Sequence, residues 1–305
     1  MDDQSPAGPG QSPGAQADMR HPDILLRFRD LARNYDGILC DIWGVVHNGV
    51  RAWPDACEAL FRFREQGGHV VLITNAPRPA APIREMLDRL KVPHHCYDAI
   101  VSSGDLTRSM LAERAHLKAY HLGPDRDRGV FEGLDMRIVD AAEAELVVNT
   151  GLFDDNTETP EDYADMLAAF RARDVEMICA NPDVIVERGD ELLYCAGALA
   201  DAYEDLGGTV LWAGKPHPPI YDEALARLET AAGRKVERSR VIAIGDSLRT
   251  DLAGAKRSGL DAVFVASGIH GNELIREESL DLPGLEESFR QADVWPRAVM
   301  ARLVW

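Results

Sequence analysis

Four polar stretches, each following an apolar run, carry the side chains best suited to chemistry. Ile38-Leu39-Cys40 stops on Asp41 and continues as Ile42-Trp43-Gly44. His69 to Ile73 ends in Thr74-Asn75, Thr209 to Trp212 leads to Gly214-Lys215-Pro216, and Val241 to Ile244 ends in Gly245-Asp246-Ser247. Loops at the ends of buried strands are where reacting groups gather in open α/β sheets. The four endings present a carboxylate, a hydroxyl with an amide, an ammonium and a second carboxylate. A carboxylate nucleophile beside fixed positive charge suits phosphoryl transfer, which is catalysed mostly by positioning and electrostatics.

Each stretch alone has an ordinary reading. Asp41 can end a strand, Thr74-Asn75 is common turn chemistry, most lysines are solvated, and Asp251 falls where an acidic residue suits the start of a helix. Asp246 is harder to dismiss, because an anion directly after Gly245 needs a cation or donors beside it.

As an ordered set, the stretches resemble the haloacid dehalogenase (HAD) superfamily, in particular its class IIA phosphatases, whose C2-type α/β cap lies between the second and third motifs. The resemblance runs from about Asp36 to Ser267 and includes Asn181-Pro182-Asp183 and Asp246-Ser247-Leu248-Arg249-Thr250-Asp251. It implies that Asp41 forms an aspartyl-phosphate. It also implies a Mg2+ ion held by Asp41, the Trp43 main-chain carbonyl and Asp246, with Asp251 and Ser247 in support. Lys215 would steady the nucleophile, Thr74 and Asn75 would bind the phosphate, and Asn181 and Asp183 would face the site and select a small phosphorylated metabolite. Family relatives often dimerise through the cap, so a homodimer is expected.

One residue departs from that pattern. Where the family carries a second Asp, two positions after the nucleophile, this chain has Trp43. Indole donates a hydrogen bond but exchanges no proton near neutral pH, and the missing acid/base is worth roughly 10²–10⁴-fold. Either His47, His217 or His270 substitutes, or leaving groups of low pKa need no acid, or turnover is poor. Trp43 could also wall off an apolar part of a substrate. Val184 to Arg188 lack the Pro, Trp and His of the pyridoxal-phosphate-type loop, which argues against that substrate. Arg188 reads as readily solvent-facing as anion-binding.

Strand-like and helix-like runs alternate, which predicts a Rossmann-like, doubly wound parallel sheet covered by helices. Expected helices span Ile24–Tyr35, Ala56–Gln66, Leu106–Arg114, Pro160–Arg171, Ala198–Leu206, Pro219–Ala231 and Thr250–Ser258, with another through Ile83, Met86, Leu87 and Leu90. Residues 1–20, rich in Pro, Gly, Gln and Ser, read as a disordered tail. The core is expected at 21–118 and 212–305, with the cap at 119–211. His94-His95-Cys96 lacks distant partners for a zinc site and is assigned to a loop.

With 51 acidic against 33 basic residues and a formal charge of −18, the field attracts neither nucleic acid nor an anionic membrane. Five cysteines without paired spacing read as reduced thiols. No apolar run reaches the ~20 residues of a spanning helix, and a cytoplasmic address is expected.

The leading expectation is a magnesium-dependent hydrolase of small phosphate monoesters. A second is a catalytically weakened relative that binds a phosphorylated metabolite for regulation or assembly. Metal-free carbon–halogen hydrolysis is a third, disfavoured because a metal-free site gains nothing from clustering Asp246 and Asp251 beside Asp41.

Overall fold

The computed structural model describes residues 21–188, 191–268, 275–276 and 279–305. Its strands, in chain order, are β1 (Asp23–Ile24), β2 (Gly37–Asp41), β3 (His69–Thr74), β4 (Ala99–Ser102), β5 (Lys118–Leu122), β6 (Arg137–Ile138), β7 (Leu146–Asn149), β8 (Glu176–Cys179), β9 (Ile185–Arg188), β10 (Glu191–Tyr194), β11 (Val210–Trp212), β12 (Val241–Gly245), β13 (Asp261–Val265), β14 (Ile275–Arg276), β15 (Ser279–Leu280) and β16 (Ala298–Met300).

Seven of them form one parallel sheet in the order β1-β16-β13-β12-β2-β3-β4. All five residues of β2 are buried, and successive side chains enter opposite layers. Ile38 and Cys40 pack with Val70 and Leu72 toward the helices Pro54–Glu65 and Ala80–Arg89. Leu39 packs with Val71 and Ile73 toward Pro218–Ala232 and Ala253–Ser258. A strand covered on both faces must be apolar throughout, which is why these runs show no alternation.

From the middle of the sheet the chain winds outward in two directions, β2 to β3 to β4 and β12 to β13 to β16. Such a reversal opens a crevice at the carboxyl ends of the two central strands. The strands on either side of it are β2, ending on Asp41, and β12, followed by Asp246.

A second, five-stranded parallel sheet, β11-β8-β7-β5-β6, lies in sequence between β4 and β12. One face is covered by Ala164–Arg171 and Ala196–Asp205. The other meets the first unit, where Leu111 of the helix Ser103–Glu113 packs with Ala119, Leu146, Val148 and Ile178. A hairpin of β9 and β10 extends from this unit.

Several expectations are corrected. Val210–Trp212, read as a buried strand before Lys215, is an only half-buried edge strand of the second sheet, paired with Met177–Cys179. Ile24 opens no helix: it pairs in β1 with Val299, and only Arg29–Ala32 is helical. The expected helix at Thr250 begins as a π turn, Leu248–Leu252, before Ala253–Ser258. Val184 to Arg188 run into a strand of the hairpin. His270 and the tail 1–20 lie outside the described residues. Among the described residues no helix is long and apolar enough to cross a membrane, and all five cysteines are free and buried.

Candidate active site

Asp41 leaves β2 with its Oδ1 accepting from the Ile42 amide at 2.8 Å, which fixes the carboxylate against its own turn. The Lys215 ammonium lies 2.6 Å from that same oxygen and 2.7 Å from Asp251 Oδ1, with all three side chains nearly excluded from solvent. Asp41, Asp246 and Asp251 are buried and offer carboxylate oxygens within 4.8 Å of one another. Asp246 is seated between two glycines: a Cβ at Gly44 would fall 2.0 Å from its Oδ2, and one at Gly268 only 1.9 Å away. Gly44 also adopts φ +82°, a conformation side chains disfavour, so the close approach and the turn both require glycine.

The π turn explains how Asp251 reaches this cluster. Ser247 Oγ accepts from the Thr250 amide at 3.3 Å, while Asp251 Oδ2 accepts from the Ser247 amide at 3.2 Å. Single π turns recur at functional sites because they re-aim side chains within a helical path. Ser247 thus caps the turn and ties Asp251 in place.

Burial raises the pKa of Asp41 well above the usual carboxylate range; Asp251 adds to the effect and Lys215 opposes it. For Lys215, burial works against the charged form, but Asp251 and Asp41 outweigh it and hold the ammonium charged. Three clustered carboxylates facing one ammonium leave negative charge uncompensated in a dry site. That donor set, hard oxygens grouped around one point, fits a divalent cation.

Asn75 holds the parts together. Its Oδ1 accepts from the Lys215 amide at 2.7 Å and from Ser103 Oγ at 3.3 Å. Its amide donates to the Lys215 carbonyl at 3.0 Å and to Asp183 Oδ1 at 2.9 Å. The expectation that this side chain donates to a phosphate therefore meets an amide whose two protons are already engaged. Thr74 differs: its hydroxyl accepts from the Ala76 amide at 3.2 Å and keeps its own proton to give.

A cavity of about 160 Å³ lies between the two units, reaching Ile42 and Trp43, the residues that follow Asp41. Ile42, Trp43, Ile83 and Met86 line it from the first unit, with Thr74 beside them, and Leu152, Asn181, Asp183 and Tyr194 from the second. Asn181 Oδ1 accepts from the Asp183 amide at 3.1 Å, an Asx turn that sets the Asp183 carboxyl. Trp43 stands edge-on to His47, with ring centroids 5.0 Å apart, and packs so close to Gly49 that a Cβ there would lie 2.7 Å from its ring.

The three candidate histidines fall apart as a group. His47 is wholly buried, its Nδ1 accepts from the Gly49 amide at 2.9 Å, and burial lowers its pKa to about 4. It is neutral at physiological pH. His217 stacks on Trp212 at 5.6 Å and is lowered by burial, and it is not among the cavity-lining residues. His270 is outside the described residues. Arg188 bonds Asn156 within the second unit.

Sequence reasoning missed Ser103 and Arg78. Arg78 follows Thr74-Asn75 and pairs at 2.6 Å with the buried Asp127 of the second unit. No motif marked either residue; both are legible only from what the fold places opposite them.

Comparison with known proteins identifies the family. Residues 38–137 match the model for haloacid dehalogenase-like hydrolases, and residues 212–287 match a HAD-hydrolase-like model. A solved hydrolase of the haloacid dehalogenase-like family from Brucella suis 1330 is 43% identical, with a TM-score of 0.82, over 93% of this chain and 100% of that one. This chain belongs to the haloacid dehalogenase-like family. The ribonucleotide monophosphatase NagD of Escherichia coli K12 is 27% identical over 241 residues, 76% of this chain and 88% of that protein. An acid sugar phosphatase of Staphylococcus haemolyticus is 24% identical over 248 residues, 81% of this chain and 90% of that protein.

Proposed function

We propose that this HAD member is a phosphatase of small phosphate monoesters that works through an aspartyl-phosphate on Asp41. The observation that carries the reading is the Lys215 ammonium, bridging Asp41 and Asp251 at 2.6 and 2.7 Å beside Asp246 at the crevice between β2 and β12. The names borne by the relatives, a ribonucleotide monophosphatase and an acid sugar phosphatase, support the substrate class.

In this mechanism Asp41 attacks phosphorus in line with the leaving oxygen. Lys215 neutralises the nucleophile's carboxylate and the phosphoryl oxygens as a point charge, and the Thr74 hydroxyl donates to one of them. Asp41 and Asp246 would hold Mg2+, with the Trp43 carbonyl as a third donor and Asp251 supporting Lys215. When bound, the ion supplies charge neutralisation for the incoming dianion. The cap, packed over the cavity, excludes water and selects the leaving group through Asn181 and Asp183.

Trp43 on the cavity wall favours a second reading, in which turnover is slow and the protein mainly binds its metabolite. A screen of phosphorylated metabolites with Mg2+, repeated with chelator, tests the two. Chelator-sensitive release of phosphate over many turnovers supports the enzyme. Binding without release supports the second reading.

A further inference from the structure

We infer that Asp183, on the cap, is the general acid and base of this enzyme, standing in for the carboxyl that Trp43 displaces. The inference rests on the phosphatase reading above and adds a catalytic role to a residue placed there only for substrate selection.

Three geometric facts carry it. Asp183 is on the cavity wall together with Trp43 and Thr74, the residues that flank the proposed nucleophile and phosphate-binding positions. Its Oδ1 is anchored by Asn75 at 2.9 Å, and Asn75 in turn grips both main-chain groups of Lys215, whose ammonium is on Asp41. One oxygen is thus tied to the nucleophile's own scaffold, while Oδ2 has no hydrogen-bond partner among the described residues. The carboxyl is also rigidly mounted: a Cβ at Gly197 would lie 2.4 Å from the Pro182 carbonyl oxygen and 2.5 Å from that of Asp183, so the helix Ala196–Asp205 clamps the loop from behind.

The surroundings suit a group that must hold and then release a proton. Burial raises the pKa of Asp183, while Lys215 and the bond from Asn75 pull it back; Asp251 adds to the rise and Arg249 opposes it. The other charged and titratable groups around the cavity are the Cys195 thiol, Tyr194, the paired Arg126 and Asp155, the paired Arg78 and Asp127, and His47. His47, the nearest alternative, is neutral and lacks a proton to spare as an acid until about pH 4.

The chemistry balances. As Asp41 bonds to phosphorus and the bond to the leaving oxygen breaks, the Asp183 proton passes to that oxygen. Asp183 then takes a proton from the water whose oxygen attacks phosphorus, and the broken acyl-phosphate bond returns its electron pair to Asp41.

Asp183→Asn tests this, since the amide oxygen can still accept from Asn75 but the side chain exchanges no proton. With an alkyl phosphate, kcat should fall by roughly 10²–10⁴-fold, and the alkaline limb of the wild-type profile should vanish. With 4-nitrophenyl phosphate, whose leaving group needs no acid, the first turnover should persist as a burst ahead of a slowed steady state. Asp183→Glu should restore part of the alkyl phosphate rate. A change confined to KM, or an Asp183→Asn rate within about threefold of wild type with an unaltered pH profile, would overturn the inference while leaving the phosphatase reading intact. Wild-type protein that hydrolyses neither ester would overturn both.

Discussion

Lys215 is the residue on which the site's electrostatics turn, because its one ammonium compensates two buried carboxylates. Its replacement by Met keeps the bulk and removes the charge. Breaking one partner out of a buried ionic group typically costs about 3–5 kcal/mol, and here Asp41, whose pKa burial already raises against the pull of Lys215, would lose that opposing charge. The expected result is a lower urea midpoint together with phosphatase activity reduced to background; a stable, active Lys215→Met protein would contradict it. His47 supports a second prediction at this scale. Folded, it takes a proton only near pH 4, against 6.5 for an ordinary imidazole. Between those values the unfolded chain binds a proton that the folded chain does not, so stability is present above pH 6.5 and is lost as pH falls toward 4. The contribution is on the order of 3 kcal/mol. Urea unfolding at several pH values should show that slope diminished in His47→Gln, the buried carboxylates with raised pKa values being common to both proteins. That Asp41, Lys215, Asp246 and Asp251 gather in one place was legible from strand-end spacing together with the ordered likeness to the HAD motifs. What escaped was the state of each group: sequence could nominate His47 as an acid, but only burial beneath Trp43 reveals that it is neutral.

At the scale of elements, the telling segment is the crossover from β11 to the helix Pro218–Ala232. Thr209 to Trp212 reads in sequence as a buried strand ahead of Lys215, but a short apolar run carries no label saying which sheet will pair with it. The structure gives Val210–Trp212 to the cap sheet and brings Lys215 in on the return loop, where Asn75 receives it. That loop runs so close to its neighbours that a Cβ on Gly214 would lie 2.1 Å from Ser103 Oγ and 2.6 Å from Asn75 Oδ1. Asn75 is therefore a joint between motifs, and its truncation leaves buried donors and acceptors unpaired at about 1–3 kcal/mol. Asn75→Ala should lower the unfolding midpoint and also reduce turnover, because the Lys215 main chain loses its grip. A variant with wild-type activity would show that the joint is dispensable. The central helices and strands were predicted closely because their apolar periodicity matches the packing that forms them. The π turn at Leu248–Leu252 was not, since it is set by the tie between Ser247 and Asp251 rather than by propensity.

Across the whole molecule, the two units are joined by contacts of unequal worth. One guanidinium nitrogen of Arg249, Nη2, donates to both carboxylate oxygens of Asp201 at 2.7 and 2.8 Å, but both side chains are well exposed, and such pairs contribute about 0–1 kcal/mol. Arg78 and Asp127 matter more, because Asp127 is only 3% exposed and burial already raises its pKa, against the pull of Arg78. Arg78→Met should weaken closure and raise KM more than it lowers kcat, as measured by steady-state kinetics; an unchanged KM would show that this pair does not govern closure. The parallel α/β plan was readable from the alternation of elements, whereas these bridges depend on which surfaces the fold sets face to face. Closure over a charged cluster also links metal to stability. A cation at 100 times its dissociation constant stabilises a folded protein by about 2.7 kcal/mol, so Mg2+ should raise the melting temperature of wild type but not of Asp246→Asn. All of these effects presuppose that Asp41 receives the phosphoryl group, and rapid acid quenching during turnover, followed by digestion and mass spectrometry, tests that directly. The account predicts a phosphorylated peptide containing Asp41, labile to hydroxylamine and absent from Asp41→Asn. Steady phosphate release with no modified peptide at any quench time, or release sustained by Asp41→Asn, would contradict it.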